Sequence, residues 1–400
     1  MDKLFLWEWK KTKKLTLCFT CLIFLFIMFM IINVETNRIS WTDSNGKSLS
    51  GKAAVEAKIA TVSKIEGKVA PEKLINCVNE YKKVYKKGKI EDTKEYGKYI
   101  EPYQDYIYRM ILRIYDDGNS AFDQVLINLS DNQLNNFYSN WSKAAIRESG
   151  VNKNSKLHTT LENKAKKVDK PFIYEYNDGL YYLILQFKDI IMWVFIIIAI
   201  ALSSIFSKDD LRGLEEVSMS TKYGREKLTV GKLKYGIFLS IIIYILSLLV
   251  INIVVGSIYT FKGGNASIQL VYSRTLWNTS IGKGYLLLIL LGLLATITTA
   301  LFVMYISVKS RKSKLSLLLS IGLTFIPNIF LTNIKNTFLT PILGIIPVNL
   351  IDSSMVFGSN IFYELGSFQF SYLIISVILS VVMIFVTIKG IKKEVMNYKL

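Results

Sequence analysis

Six stretches of this chain, at 15–34, 190–207, 235–261, 284–308, 315–334 and 365–388, contain no charged residue. Each is long enough to cross a hydrocarbon layer about 30 Å thick, which takes roughly 20 helical residues. Leu, Ile and Phe dominate them, without the two-residue alternation of a membrane barrel strand. Backbone polar groups in lipid must bond within their own segment, so such runs read as spanning helices. This one feature predicts an all-α polytopic membrane protein with six transmembrane helices. Composition agrees, at 51% hydrophobic and 20% charged. No soluble core of this size hides that much apolar surface.

The first run exceeds the roughly 7–15 residues of a signal-peptide core. Glu35-Thr36-Asn37-Arg38 follows it, with no small-residue cleavage site, so it reads as an uncleaved anchor. Short basic segments set the orientation. Lys10, Lys11, Lys13 and Lys14 precede the first run, 208–234 separates the second and third, and Lys309, Arg311 and Lys312 separate the fourth and fifth. Lys389, Lys392 and Lys393 follow the sixth. Six crossings place all four segments on one side, and basic short loops mark that side as cytoplasmic. The expected order is an interfacial helix at 1–14, then helices at 15–34, 189–207, 235–261, 284–308, 315–334 and 365–388. An extracellular domain occupies 35–188 and a cytoplasmic segment 208–234. Both termini are expected in the cytoplasm of a bacterial cell, with the lipid bilayer as an obligate partner.

The net charge is +18. Most of the excess sits beside the apolar runs, while the polar insertion is nearly balanced, which argues against nucleic acid as a partner. That insertion reads as a mostly helical domain, since Leu74, Ile75, Val78, Tyr81 and Val84 recur at helical spacing, as do Ile107, Met110, Ile111 and Ile114. Cys18 and Cys21 fall inside the first run and read as packing residues. Cys77 is left without a partner outside the membrane, which excludes a disulfide framework and suggests a thiol reactive from outside.

Little in the sequence suggests catalysis. The single histidine, His158, rules out histidine-based metal clusters and relays. Gly46-Lys47-Ser48 resembles the end of a phosphate-binding loop, but Trp41 stands where the upstream glycine is required. No charge-free run offers an ion pathway, paired carboxylates or a nucleophile with its base. The chain is therefore read as no enzyme, with no cofactor or metal of its own, and any energy for transport must enter from another polypeptide.

Two segments then carry the functional expectation. The first is 206–234, where Asp209, Asp210, Glu215 and Glu216 precede a small-residue stretch, Tyr223-Gly224-Arg225 and a basic end at Lys227, Lys232 and Lys234. Anions early and cations late suit a helix dipole, and a soluble partner could grip such a segment. The second is 336–363, which holds one charge, Asp352, and is broken by Pro341, Gly344 and Pro347. It is too apolar for a solvated loop and too interrupted for a span, so a re-entrant hairpin acting as an external gate is expected.

In these features the chain resembles the ABC-2 type permeases, the membrane subunits of one class of ABC exporters. Phe206-Ser207, Asp209-Asp210, Gly213, Glu215, 218–221, Gly224-Arg225 and Lys232 match their pattern between the second and third spans. The amphipathic start with Trp7 and Trp9, six spans, a Pro-broken external hairpin and a large first external insertion match their layout. Lys170-Pro171-Phe172, Tyr174 and Asn177-Asp178-Gly179 resemble the end of that insertion. The resemblance implies a coupling helix around 215–225, seated in a separate ATP-binding subunit, and a second permease copy or related permease. It also implies outward movement of a substrate such as a peptide or another amphipathic compound. A second reading stays open, a membrane-anchored receptor or immunity protein that binds an extracellular peptide without transport.

Overall fold

The computed structural model describes residues 8–10, 14–85, 94–116, 118, 121–151, 155–207, 220–333, 344, 346–365 and 368–397. It is about 77% helical. The chain passes through helix α1, Lys14–Arg38, into a polar domain. There β1 (Ser40–Thr42) and β2 (Ser48–Ser50) pair antiparallel, with Trp41 opposite Leu49. Gly46, at φ 83°, lies in the turn between them, so Gly46-Lys47-Ser48 belongs to a hairpin.

Helices α2 (Gly51–Val62), α3 (Pro71–Tyr85), α4 (Phe137–Glu148) and α5 (Lys156–Lys167) build the domain. On α3, Leu74, Cys77, Val78, Tyr81 and Val84 all point into the core, as their three- and four-residue spacing requires. Trp141 of α4 is fully buried and meets Phe172 edge-on at 5.1 Å. The two-residue strands β3 (Gly67–Lys68) and β4 (Ile173–Tyr174) pair antiparallel and tie the start of the domain to its end. Cys77 does not behave as the sequence suggested. It is 1% exposed, and burial pushes its thiol well above the usual range, so it is a weak nucleophile.

The remaining long helices are α6 (Asp178–Leu202), α7 (Lys222–Tyr259), α8 (Ile281–Ser310), α9 (Ser313–Asn333) and α10 (Tyr372–Met396). Among the described residues, α1, α6, α7, α8 and α10 are the five helices long and apolar enough to cross a membrane. Helix α9 covers the fifth apolar run over 21 residues.

The helix ends depart from the charge-free runs for identifiable reasons. Helix α6 starts at Asp178 and includes Lys188, because that lysine finds an anionic partner. Helix α7 starts at Lys222, so the second half of the 208–234 segment is continuous with the apolar helix. Thr221 caps it, its hydroxyl accepting from the Gly224 N–H at 3.1 Å. Helix α10 starts at Tyr372, not at 365. Ahead of it, β5 (Phe362–Leu365) and β6 (Phe368–Ser371) form a hairpin in which Phe368 and Phe370 alternate with Gln369 and Ser371. Helices α8 and α9 meet at Arg311, whose left-handed φ of 55° ends α8 and lets the chain reverse at once.

Successive helices run in alternating directions. At the domain end, a Cβ on Gly179 of α6 would lie 2.4 Å from the carbonyl oxygen of Thr260, just past α7. At the opposite end, the Phe206 N–H donates to the Ser307 hydroxyl at 3.1 Å, and Lys309 pairs with Glu394 at 3.5 Å. Helix α8 is central, packed by α6, α7, α9 and α10. Gly292 permits this approach, since a Cβ there would sit 2.6 Å from the Tyr244 hydroxyl and 2.9 Å from the Phe187 ring. The outside of the bundle is an apolar belt, with Leu318, Ile253 and Phe26 at 70%, 66% and 65% exposure. Water disfavours such a belt and a hydrocarbon layer does not.

Candidate functional site

At the domain end, residues 346–358, between α9 and α10, pack inward against the bundle. Pro341 lies outside the described residues. Gly344 is buried, and a Cβ there would come within 2.7 Å of the Met355 methyl. Pro347 opens a 3-10 turn, Pro347–Ile351, and a π turn follows at Ser354–Gly358. Val348, Leu350, Ile351, Val356 and Phe357 are buried against the bundle. Gly344 and Pro347 therefore belong to one packed element, not to a solvated loop.

Asp352 organises that element. Its Oδ1 accepts from the N–H groups of Ser354 (3.0 Å) and Met355 (3.3 Å), and its Oδ2 accepts from Lys188 Nζ of α6 at 2.9 Å. Both side chains are largely buried, at 14% and 10% exposure. Desolvating two charges is costly and is offset only when the remaining lone pairs are used, and Asp352 uses them. Beside the pair, the Ser353 hydroxyl donates to the Ile184 carbonyl at 2.7 Å, and the Tyr372 hydroxyl donates to the Asn349 carbonyl at 3.1 Å. The inward element is thus bonded to α6 and α10.

The polar domain is seated on the same helix. Asp178, in the first turn of α6, pairs with Lys58 of α2 at 2.9 Å and with Arg109 at 2.9 Å. Arg109 also reaches Asp105 at 3.0 Å and donates to the Asn177 side-chain oxygen at 2.9 Å, its guanidinium 3.8 Å above the Tyr181 ring. The Tyr174 hydroxyl donates to Asp105 at 2.8 Å. Burial alone would raise the Asp105 carboxyl, but Arg109 and Lys58 outweigh it and hold the group at about 2. Burial works to lower the Lys58 ammonium, yet Asp105 and Asp178 leave it above its ordinary value. Two cations and two anions thus form a closed network that fixes the domain to the head of α6.

At the opposite end, Asp209, Asp210, Glu215 and Glu216 lie outside the described residues. Gly224 occupies the capped first turn of α7. Arg225 spends part of its guanidinium on α10, Nη1 donating to the Met396 carbonyl at 2.8 Å. Lys232, 1% exposed, donates to the Ile205 carbonyl just past α6 and lies 3.7 Å from Glu8. Trp9 packs edge-on against Tyr235 (6.4 Å) and Phe238 (6.3 Å) of α7. Of the expected interfacial helix, Glu8 is buried and Trp9 partly so, both against protein. Trp7 lies outside the described residues.

Sequence reasoning read Arg225 and Lys232 only as part of a segment that a partner could grip, noted Asp352 only as a lone charge and Asp178 only as part of a pattern, and overlooked Lys188 and Glu8. One signal was present, since a lone Asp352 in an apolar segment requires a partner. Spacing could not name Lys188, because the two are brought together only by the fold. Among the described residues no group of three His, Cys, Asp or Glu side chains could hold a metal ion. The chain matches no family model, no curated protein and no solved structure.

Proposed function

We propose that this chain is the membrane subunit of an ATP-driven exporter, with six spans and both termini in the bacterial cytoplasm. A separate ATP-binding subunit grips the segment 208–234 through Asp209, Asp210, Glu215 and Glu216, and a second permease completes the pathway. The substrate, a peptide or another amphipathic compound, moves outward past the element of Gly344 and Pro347.

The supporting observation is mechanical. Helix α7 is unbroken over 38 residues, a rod of about 57 Å at 1.5 Å per residue, and its first turns belong to the proposed grip. Beside those turns, Arg225 is bonded to the end of α10 and Lys232 to the end of α6. Helix α6 in turn holds the inward element through Lys188 and Asp352. A push on the first turns of α7 therefore reaches three helices, and through α6 the far end of the molecule.

The test is co-purification with the ATP-binding subunit and the ATPase rate of the pair in liposomes. Charge reversal at Glu215 and Glu216 is expected to weaken association, most strongly at low salt. Arg225 is left out of that test because its loss would also release α10. Unchanged association and unchanged ATPase stimulation would favour the receptor reading.

A further inference from the structure

A cavity of about 290 Å³ opens at the domain end, between α5, the chain before α8, the turns after Asp352 and the first turn of α10. This is near the lower end of small-molecule sites, which run from roughly 300 to 1,000 Å³. Leu276, Met355, Val356, Tyr372 and Leu373 give it apolar walls. Helix α5 adds Lys164 and Lys167. We infer that this cavity binds an amphipathic anion, its apolar body between Leu276, Met355 and Leu373 and its carboxylate or phosphate against Lys164 and Lys167.

Charge complementarity carries the assignment. Lys at the end of a helix is ordinary, because cations there suit the helix dipole. Exposed Lys166 satisfies that role in water. Lys164 is different: it is drawn in, its ammonium 4.2 Å from the Phe362 ring centroid. Burial lowers its pKa, and among the described residues no carboxylate pairs with it. A partly desolvated cation beside a largely apolar cavity is stabilised by an anion that brings its own apolar body. The walls begin at Tyr372, the first residue of an apolar helix, so the cavity adjoins the level where lipid headgroups would lie if α10 spans. Such an anion has two sources, an anionic lipid of the bilayer or a free amphipath. Binding here does not depend on the exporter reading.

The experiment uses the full chain in phosphatidylcholine nanodiscs, titrated with a dansyl-labelled fatty acid and with its uncharged methyl ester, against empty discs. Saturable binding of the acid is expected, with the ester at least tenfold weaker. Lys164→Gln with Lys167→Gln should weaken the acid by about tenfold. Lys164→Arg should retain it, and Leu276→Trp, which fills the cavity, should abolish it. Asn278→Trp fills the cavity from a second position, and a thermal melt of each variant shows whether it is folded. Competition by phosphatidylglycerol placed in the discs would assign the site to a bilayer lipid, and its absence would assign it to a free amphipath. Equal affinity for acid and ester, or native binding in folded Lys164→Gln/Lys167→Gln and cavity-filled variants, would overturn the inference.

Discussion

Buried ionisable groups make opposite demands at the residue scale. Lys188 and Asp352 are a matched pair, so removing one leaves the other uncompensated. Lys188→Met is expected to destabilise the folded chain by about 3–5 kcal/mol, and Lys188→Met with Asp352→Asn should recover most of that. Thermal melts of the two single variants and the double one, in detergent, form the cycle; equal loss in single and double variants would contradict it. Glu101 is the reverse case. It is 3% exposed, accepting from the Thr42 N–H at 3.3 Å and from Gln104 at 2.8 Å. Burial raises its carboxyl to about 7, against the lowering effect of those donors. Folded chain thus holds a proton there that unfolded chain releases near its ordinary value of 4.5. The sign follows: the neutral form stabilises fully below that value, and the contribution fades as pH rises toward about 7. Glu101→Gln should flatten this part of the pH–stability curve, a change of at most about 3 kcal/mol. A wild-type slope persisting in the variant would remove Glu101 as its source.

At the scale of elements, α7 matters most, because a helix transmits displacement only while it is continuous. Glu226 and Lys227 are exposed and lie between Arg225 and the buried Leu228. Glu226→Gly with Lys227→Gly costs about 1 kcal/mol per position in helix stability and removes no core contact. If the exporter reading holds, this variant should bind the ATP-binding subunit normally, while transport per ATP hydrolysed falls severalfold. Native coupling in reconstituted liposomes would show that α7 is not the lever. The same continuity explains why the segment was half legible. Its charges and its capping Thr221 are readable as sequence, but the charge-free criterion stops at Tyr235 and leaves Lys232 outside the helix it belongs to. A lysine in the last turn before an apolar run looks like an interfacial anchor until Ile205 and Glu8 are placed beside it.

For the whole molecule, the proposed sidedness rests on alternation of the helices together with the basic short segments. A chain with Cys18, Cys21 and Cys77 replaced by Ala, carrying either Ser310→Cys or Asn132→Cys, tests it directly. Ser310 ends α8 away from the domain and Asn132 is exposed on the domain. A membrane-impermeant thiol reagent should label Asn132→Cys in intact cells, and Ser310→Cys only after lysis. Labelling of both positions in intact cells would exclude the six-span arrangement. Native Cys77 cannot serve as the reporter, because the domain core encloses it.

Length, apolarity and charge placement were enough to predict a helical bundle with a polar insertion, because burying an unpaired backbone or a charge in hydrocarbon is costly whatever the fold. Helical spacing likewise placed Leu74, Val78 and Tyr81 in the domain core. The ends of the helices and the long-range polar pairs were settled elsewhere. Lys188 with Asp352, Lys58 and Arg109 with Asp178, and Arg225 with the end of α10 join residues far apart in the chain. A charge is tolerated inside a bundle only when tertiary structure supplies its partner, and no local pattern specifies which distant residue that will be.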